Sequence, residues 1–144
     1  MIREATLDDL PALLDMGREF YAASAFDAIG FNEDTARAML QVLIGSPTGV
    51  LLIAEGGMAA ALVYPFYFNA EHTTAQELFW WVAPQARGGG LGRQLIAALE
   101  AAVQARGAKS LSMIALAEID GPAVAELYRR HGYRASEQSF IKVF

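Results

Sequence analysis

Eight residues, Ala86-Arg-Gly-Gly-Gly-Leu-Gly-Arg93, bring together the residue types that can hold an anion. Three consecutive glycines let the backbone take conformations that side chains forbid, so successive N–H groups can converge on one ligand. An amphipathic pattern follows at once, and a helix beginning there adds partial positive charge at its N-terminus. Arg87 and Arg93 add whole charges at either end. The run is built to hold a pyrophosphate. A dinucleotide fingerprint needs a third glycine where this chain has Arg93 or Leu95, and a P-loop needs Gly-Lys-Ser/Thr where it has Gly92-Arg93-Gln94. A ligand-free connector is the remaining alternative, yet three adjacent glycines cost conformational entropy that a connector need not incur.

Other candidates are single residues. Glu77 is a carboxylate in an otherwise apolar strand beside Phe79 and Trp81, where burial raises a carboxyl pKa toward the range of a general base. An exposed charge at the beginning of the strand is its other reading. Glu71 and His72 stand in a polar segment, Asn69 to Thr74, read as a loop near a substrate mouth. Trp80 and Trp81 point to opposite faces of a regular strand, one into the core and one toward a ligand, unless core packing alone accounts for both. His131 ends a helix and is assigned no catalysis, and two histidines so far apart make no ligand pair, so no metal is expected.

The elements that must position these groups are legible from period and punctuation. Thr6 and Asp9 resemble a capping box before a helix from about Leu7 into the early twenties, preceded by a short strand around Ile2 to Ala5. Asn32, Glu33 and Asp34 open a second helix ending at Gly45. Val50–Ala54 and Ala59–Tyr64 flank Glu55-Gly-Gly57 as a hairpin, with Pro65 interrupting or edging the second strand and Phe66–Phe68 continuing it. Gln76–Val82 is the next strand, and the glycine run follows it. A helix from Leu91 stops at Arg106-Gly107, Lys109–Leu116 is a further strand, and Asp120, read as a cap, starts a last helix ending at Gly132. Closing strands near Tyr133–Ala135 and Ser139–Phe144 complete a strand-rich second half.

That order of elements, with Arg87-Gly-Gly-Gly90-Leu-Gly92 after the fourth strand and Leu127-Tyr128 followed by Gly132-Tyr133, resembles the GCN5-related N-acetyltransferase (GNAT) family over essentially the whole chain. The resemblance implies an α+β, acyl-CoA N-acyltransferase-like fold: a mixed, mostly antiparallel sheet flanked by helices, with a crevice where the fourth and fifth strands splay. It implies acetyl-CoA as cosubstrate and an amine of a small molecule or peptide as acceptor. Arg87, Gly88, Gly89, Gly90, Leu91, Gly92 and Arg93 then hold the pyrophosphate, and backbone at Trp81, Val82 and Ala83 pairs with the pantetheine arm as an added strand. Tyr128 protonates the departing thiolate, or else is core with its hydroxyl at the surface, and Glu77 takes the amine proton. Relatives that place an asparagine about seven residues before the tyrosine have Gly121 as their counterpart here. The resemblance also implies a homodimer through an apolar edge of late strands around Phe140 to Phe144. A non-catalytic acyl-CoA sensor or interaction module is the alternative from another class.

Composition bounds the rest. At 144 residues the chain supports one domain, residues 1–144, and not two comfortable ones. Sixteen acidic against eleven basic residues give a net charge of −5, which argues against a nucleic-acid binder relying on a basic surface. No cysteine is present, so thiolate nucleophiles and disulfides are excluded. With no leader pattern and no apolar stretch near the ~20 residues that cross a bilayer, a soluble, cytoplasmic protein without membrane partners is expected. Acceptor contacts are expected from Tyr21–Asn32 and Asn69–Thr74, where Phe26, Asp27, Phe31 and Glu71 would suit a cationic amine, unless the aromatics simply pack the helical hairpin.

Overall fold

The computed structural model describes residues 1–144. The elements run β1 (Arg3–Glu4), α1 (Leu10–Ala23), α2 (Glu33–Gly45), β2 (Gly49–Ala54), β3 (Gly57–Phe66), β4 (Asn69–Val82), α3 (Leu91–Ala105), β5 (Leu111–Ser112) and α4 (Gly121–Arg130). The strands form one sheet in the order β1-β2-β3-β4-β5, antiparallel through β4 and parallel between β4 and β5. This is the mixed, helix-flanked α+β sheet that the family resemblance implies.

Helices cover both faces, so β2 is an unbroken apolar run whose side chains alternate between two cores. Leu51 and Ile53 pack with Leu13, Leu14, Leu40 and Leu43 of α1 and α2. Val50 and Leu52 pack with Leu95, Leu99 and Val103 of α3. The β2–β3 turn locks onto the second core: a Cβ on Gly57 would lie 2.9 Å from Leu91 Cδ2 and from Leu95 Cδ1. Gly57→Val should therefore overpack this junction and cost about 1–3 kcal/mol, seen as a lower urea midpoint. An unchanged midpoint would mean that the junction yields freely.

Helix starts follow the expected chemistry in two places and depart from it in a third. The Thr35 N–H donates to Asn32 Oδ1 at 2.9 Å, and the Thr6 N–H donates to Asp9 Oδ2 at 2.7 Å. Arg3 also donates to both Asp9 oxygens, at 2.7 Å each, and together these donors hold the Asp9 carboxyl well below the usual range. Asp120 occupies the N-cap of α4 without a side-chain cap, in a left-handed conformation with φ 46°. Its expected capping role is thus corrected.

Three further expectations need correction. Asn69–Thr74 is strand, since β4 begins at Asn69 and pairs with β3 through Tyr64↔Thr74 and Pro65↔Thr73. The run looked like a loop because its side chains are polar, yet Asn69, Thr73 and Thr74 pair with β3 across an irregularity between Pro65 and Phe66. The strand expected over Lys109–Leu116 shrinks to Leu111–Ser112, because side chains take over the backbone groups of Ile114, as described below. Tyr133–Ala135 and Ser139–Phe144 form no strand, so the second half is less strand-rich than expected and the late apolar residues make no sheet edge. Phe140, Ile141, Val143 and Phe144 are exposed. No helix is long and apolar enough to cross a membrane.

Candidate active site at the β4–β5 gap

The site originates in a fault in β4. Ala75 faces the α3 core, whereas Phe79, an even number of residues later, faces the α1 core. Strict alternation forbids this, and the register explains it: Ala60 opposes Phe79 while Ala61 opposes Glu77, leaving Leu78 as a one-residue bulge. β5 is in register with β4 only at Ala75↔Leu111 and Gln76↔Ser112, immediately before the bulge. Beyond it the two parallel strands no longer pair.

Side chains occupy the place of the missing ladder. Glu77 Oε2 accepts the Ile114 N–H at 2.8 Å, and the Tyr128 hydroxyl donates to the Ile114 carbonyl at 2.7 Å. One peptide segment is thereby bracketed by the two sequence-predicted chemical residues, one from β4 and one from α4. Glu77 is only 4% exposed, and burial pushes its carboxyl up to about 7, opposed by the hydrogen bond from Ile114. Tyr128 is 6% exposed, and burial, then the Glu77 and Tyr133 charges, push its phenol well above the ordinary range. Its ring lies 6.1 Å from Trp80 and 5.6 Å from Tyr133, whose hydroxyl donates to Glu100 Oε1 of α3 at 2.7 Å. The last helix is thus pinned against α3 with its phenol aimed at the gap.

A pocket opens at this gap. Its β4 wall is Glu77, Leu78 and Trp80, and its opposite wall is Ile114, Leu116 and Ile119 of the β5–α4 connection, with Val124 of α4. Phe20 of α1 and Phe26 of the turn after it complete the lining. Eight of the nine lining residues are hydrophobic, so Glu77 is the one charged group that faces the space.

Trp80 joins this pocket to the glycine run. Its Nε1 donates to the Gly92 carbonyl at 3.1 Å, and a Cβ on Gly92 would sit 3.0 Å from the indole, so only glycine lets α3 approach this closely. Upstream, Gly88 and Gly90 have φ of 89° and 86°, a left-handed geometry that favours glycine. Nothing lies within 4 Å of a Cβ built on Gly88, Gly89 or Gly90. The N-terminus of α3 carries neither a side-chain cap nor an acidic residue in its first turn, leaving its N–H groups for an external anion. Leu91 and Gly92 form that first turn, and Arg93 projects to solvent from it. These residues fit a polyphosphate.

Arg87 is placed differently from a free charge. Its Nε donates to the Val82 carbonyl at 3.0 Å, and its guanidinium carbon lies 5.0 Å from the Trp81 ring. The Ala83 N–H is bound to the Gly56 carbonyl at 2.9 Å. Of the strand end expected to pair with an extended ligand, the Ala83 donor is therefore committed to the β2–β3 turn and the Val82 acceptor is covered by Arg87. Trp81 itself points into the α1 core, with its buried Nε1 unpartnered, while Trp80 faces α3 and the pocket. The indoles take opposite faces, as strand geometry requires.

The expected acceptor residues separate. Phe26 lines the pocket. Phe31 instead packs on Tyr21 and beneath Arg18. Glu71 is exposed near the β3–β4 hairpin tip, and His72 is tied to the Ser110 hydroxyl at 2.8 Å, so neither is in the pocket lining. Phe20, Leu78, Ile114, Leu116 and Ile119 escaped sequence reasoning. Five consecutive apolar residues, Leu78 to Val82, were the available sign that alternation fails there.

The sequence model described as Acetyltransferase (GNAT) domain matches residues 47–135. No curated protein matches the sequence. Among solved structures, AAC(6')-Iy in complex with the bisubstrate analog CoA-S-monomethyl-acetylneamine superposes with a TM-score of 0.77 at 16% identity, covering 100% of this chain and 97% of that one. The ribosomal-protein-alanine N-acetyltransferase of Brucella melitensis biovar Abortus 2308 gives 0.74 at 17% identity, over 100% and 99%. An aminoglycoside antibiotic 6'-N-acetyltransferase from Acinetobacter haemolyticus gives 0.74 at 16%, over 100% and 97%. At such identities the structures establish a shared fold.

Proposed function

Because the chain belongs to the GNAT acetyltransferase family and takes acetyl-CoA as its acetyl donor, we propose that it transfers the acetyl group directly to a primary amine held against Glu77. The observation that carries this reading is the bracketing of Ile114 by Glu77 and Tyr128 at the end of the β4–β5 ladder. When bound, acetyl-CoA supplies a thioester carbonyl open to attack by an amine. The uncapped α3 terminus, Gly88 to Gly92, and Arg93 would hold its pyrophosphate, and Arg87 would join them on leaving the Val82 carbonyl that it now binds. The strand end at Trp81–Ala83 then offers the Val82 acceptor to an amide of the arm.

An ammonium must lose one proton before its nitrogen can attack. Glu77, with a pKa near 7, is deprotonated often enough at neutral pH to accept it and basic enough to drive the transfer. As the new N–C bond forms and the C–S bond breaks, the sulfur would take a proton from Tyr128, Glu77 would pass the first ammonium proton to the tyrosinate, and the carboxylate so freed would take the second proton from the nitrogen and release it to solvent. Tyr128 keeps its proton throughout the neutral range because its pKa is raised, so the phenol is always loaded as donor. Transfer from so weak an acid to a thiolate is uphill unless the tyrosinate is reprotonated at once, and the proton carried by nearby Glu77 meets that need.

Tyr128→Phe should lower kcat by about 10–100-fold while changing acetyl-CoA affinity little, measured by thiol release and by calorimetry. Retained kcat would remove Tyr128 from the chemistry. The reading as a whole is tested by incubating the purified chain with acetyl-CoA and a panel of primary amines, following free thiol and the acetylated product by mass. Amine-dependent thiol release supports it; acetyl-CoA binding with no product from any amine contradicts it and favours a sensor.

A further inference from the structure

We propose that the acceptor is a monoamine with an apolar body, an arylalkyl- or alkylamine carrying a single positive charge. This rests on the acetyltransferase reading and deepens it. The wall of the pocket is carbon on every side but one: Leu78 and Trp80 on β4, Leu116 and Ile119 across the gap, and Phe20 and Phe26 at the α1 end. Even the polar atom of Trp80 is spent elsewhere, since Nε1 is bound to the Gly92 carbonyl at 3.1 Å, so its indole offers the pocket only hydrocarbon. Tyr128 directs its hydroxyl to Ile114, and Tyr133 directs its own to Glu100.

Charge counting then decides the class. Glu77 is the one ionisable group in the lining, and a single carboxylate can compensate a single ammonium. A second ammonium on the same ligand would be desolvated with no counter-charge. An apolar body, in contrast, is favoured in proportion to the surface it withdraws from water against these side chains. Polyamines and polycationic amino-sugars are therefore disfavoured twice, by the charge they bring and by the surface they cannot use. The substrates named for structural neighbours, aminoglycosides among them, do not match this lining.

The test compares kcat/KM for phenethylamine and hexylamine with that for spermidine and kanamycin, using acetyl-CoA and thiol release on the full chain. The apolar monoamines should lead by at least 100-fold. Leu116→Glu, which adds a second carboxylate to the far wall, should shift the ratio toward spermidine by at least 10-fold, an effect that mere loss of stability would not produce. Turnover of spermidine or kanamycin equal to or above that of the monoamines overturns the proposal and leaves the acetyltransferase reading standing. Faster turnover of octanoyl-CoA than of acetyl-CoA, with no discrimination among amines, also overturns it, because the apolar lining then serves the acyl chain. No release with any amine overturns both.

Discussion

Replacing Glu77 with glutamine is expected to lower kcat/KM by about 10²–10⁴-fold while leaving the fold in place. Glutamine keeps a carbonyl oxygen for the Ile114 N–H, now bound at 2.8 Å, but cannot take a proton from the acceptor amine. The wild-type rate should rise with pH through a midpoint near 7, where the buried carboxyl ionises, and that limb should vanish in the variant. Stability moves the other way. In the unfolded chain the carboxyl ionises near 4.5 and in the native state near 7, so between these values the native state binds more protons. Native stability therefore falls as pH rises across that window, by up to a few kcal/mol, and Glu77→Gln removes the loss. Urea unfolding at pH 5 and pH 8 should show a variant at least as stable as wild type at pH 8, although nearly inactive there. A variant with wild-type kcat/KM, or one that keeps the limb near 7, would take Glu77 out of the chemistry.

Gly89→Asp should weaken acetyl-CoA binding by about 100-fold or more, since a carboxylate a few ångströms from a pyrophosphate repels it by about 4 kcal/mol at an effective dielectric near 20. The position separates binding from folding. Gly89 is not among the glycines with positive φ, and an added Cβ there meets nothing within 4 Å. An acidic residue just before an uncapped helix also suits the helix dipole, so the melting temperature should hold or rise. Gly89→Ala is the neutral companion and should bind like wild type. Loss of affinity in both variants would point to strain in the loop, and loss in neither would mean that the phosphates lie elsewhere.

Residues with local physical roles were the ones legible in the sequence. Asn32 caps α2 as its side chain predicts, the glycine run opens α3, and the β2–β3 hairpin turns at Glu55–Gly56, because each depends on a few neighbouring residues. Glu77 and Tyr128 were identifiable as chemistry, one from its apolar surroundings and the other from a family motif. Their meeting on one peptide was not, because it depends on the bulge at Leu78, and nothing local distinguishes a bulge from another apolar residue in a five-residue run. The same limit explains Asn69–Thr74: polarity reports what side chains face, whereas strand pairing belongs to the backbone. It also explains the late apolar segment, which read as strand but pairs with no strand of the sheet. The pocket lining was least legible of all, since α1, β4, the β5–α4 connection and α4 contribute to it from distant parts of the chain.

Calorimetric titration of the chain with acetyl-CoA, beside S-acetylpantetheine, addresses the central claim most directly, because the two ligands share the thioester and arm and differ in the pyrophosphate and nucleotide. Saturable one-to-one binding of acetyl-CoA, weaker by about 100-fold or more for S-acetylpantetheine and abolished selectively by Gly89→Asp, is the predicted result. Equal affinity for the two ligands, or no binding of acetyl-CoA, would contradict the placement of the cofactor on the Arg87–Arg93 loop.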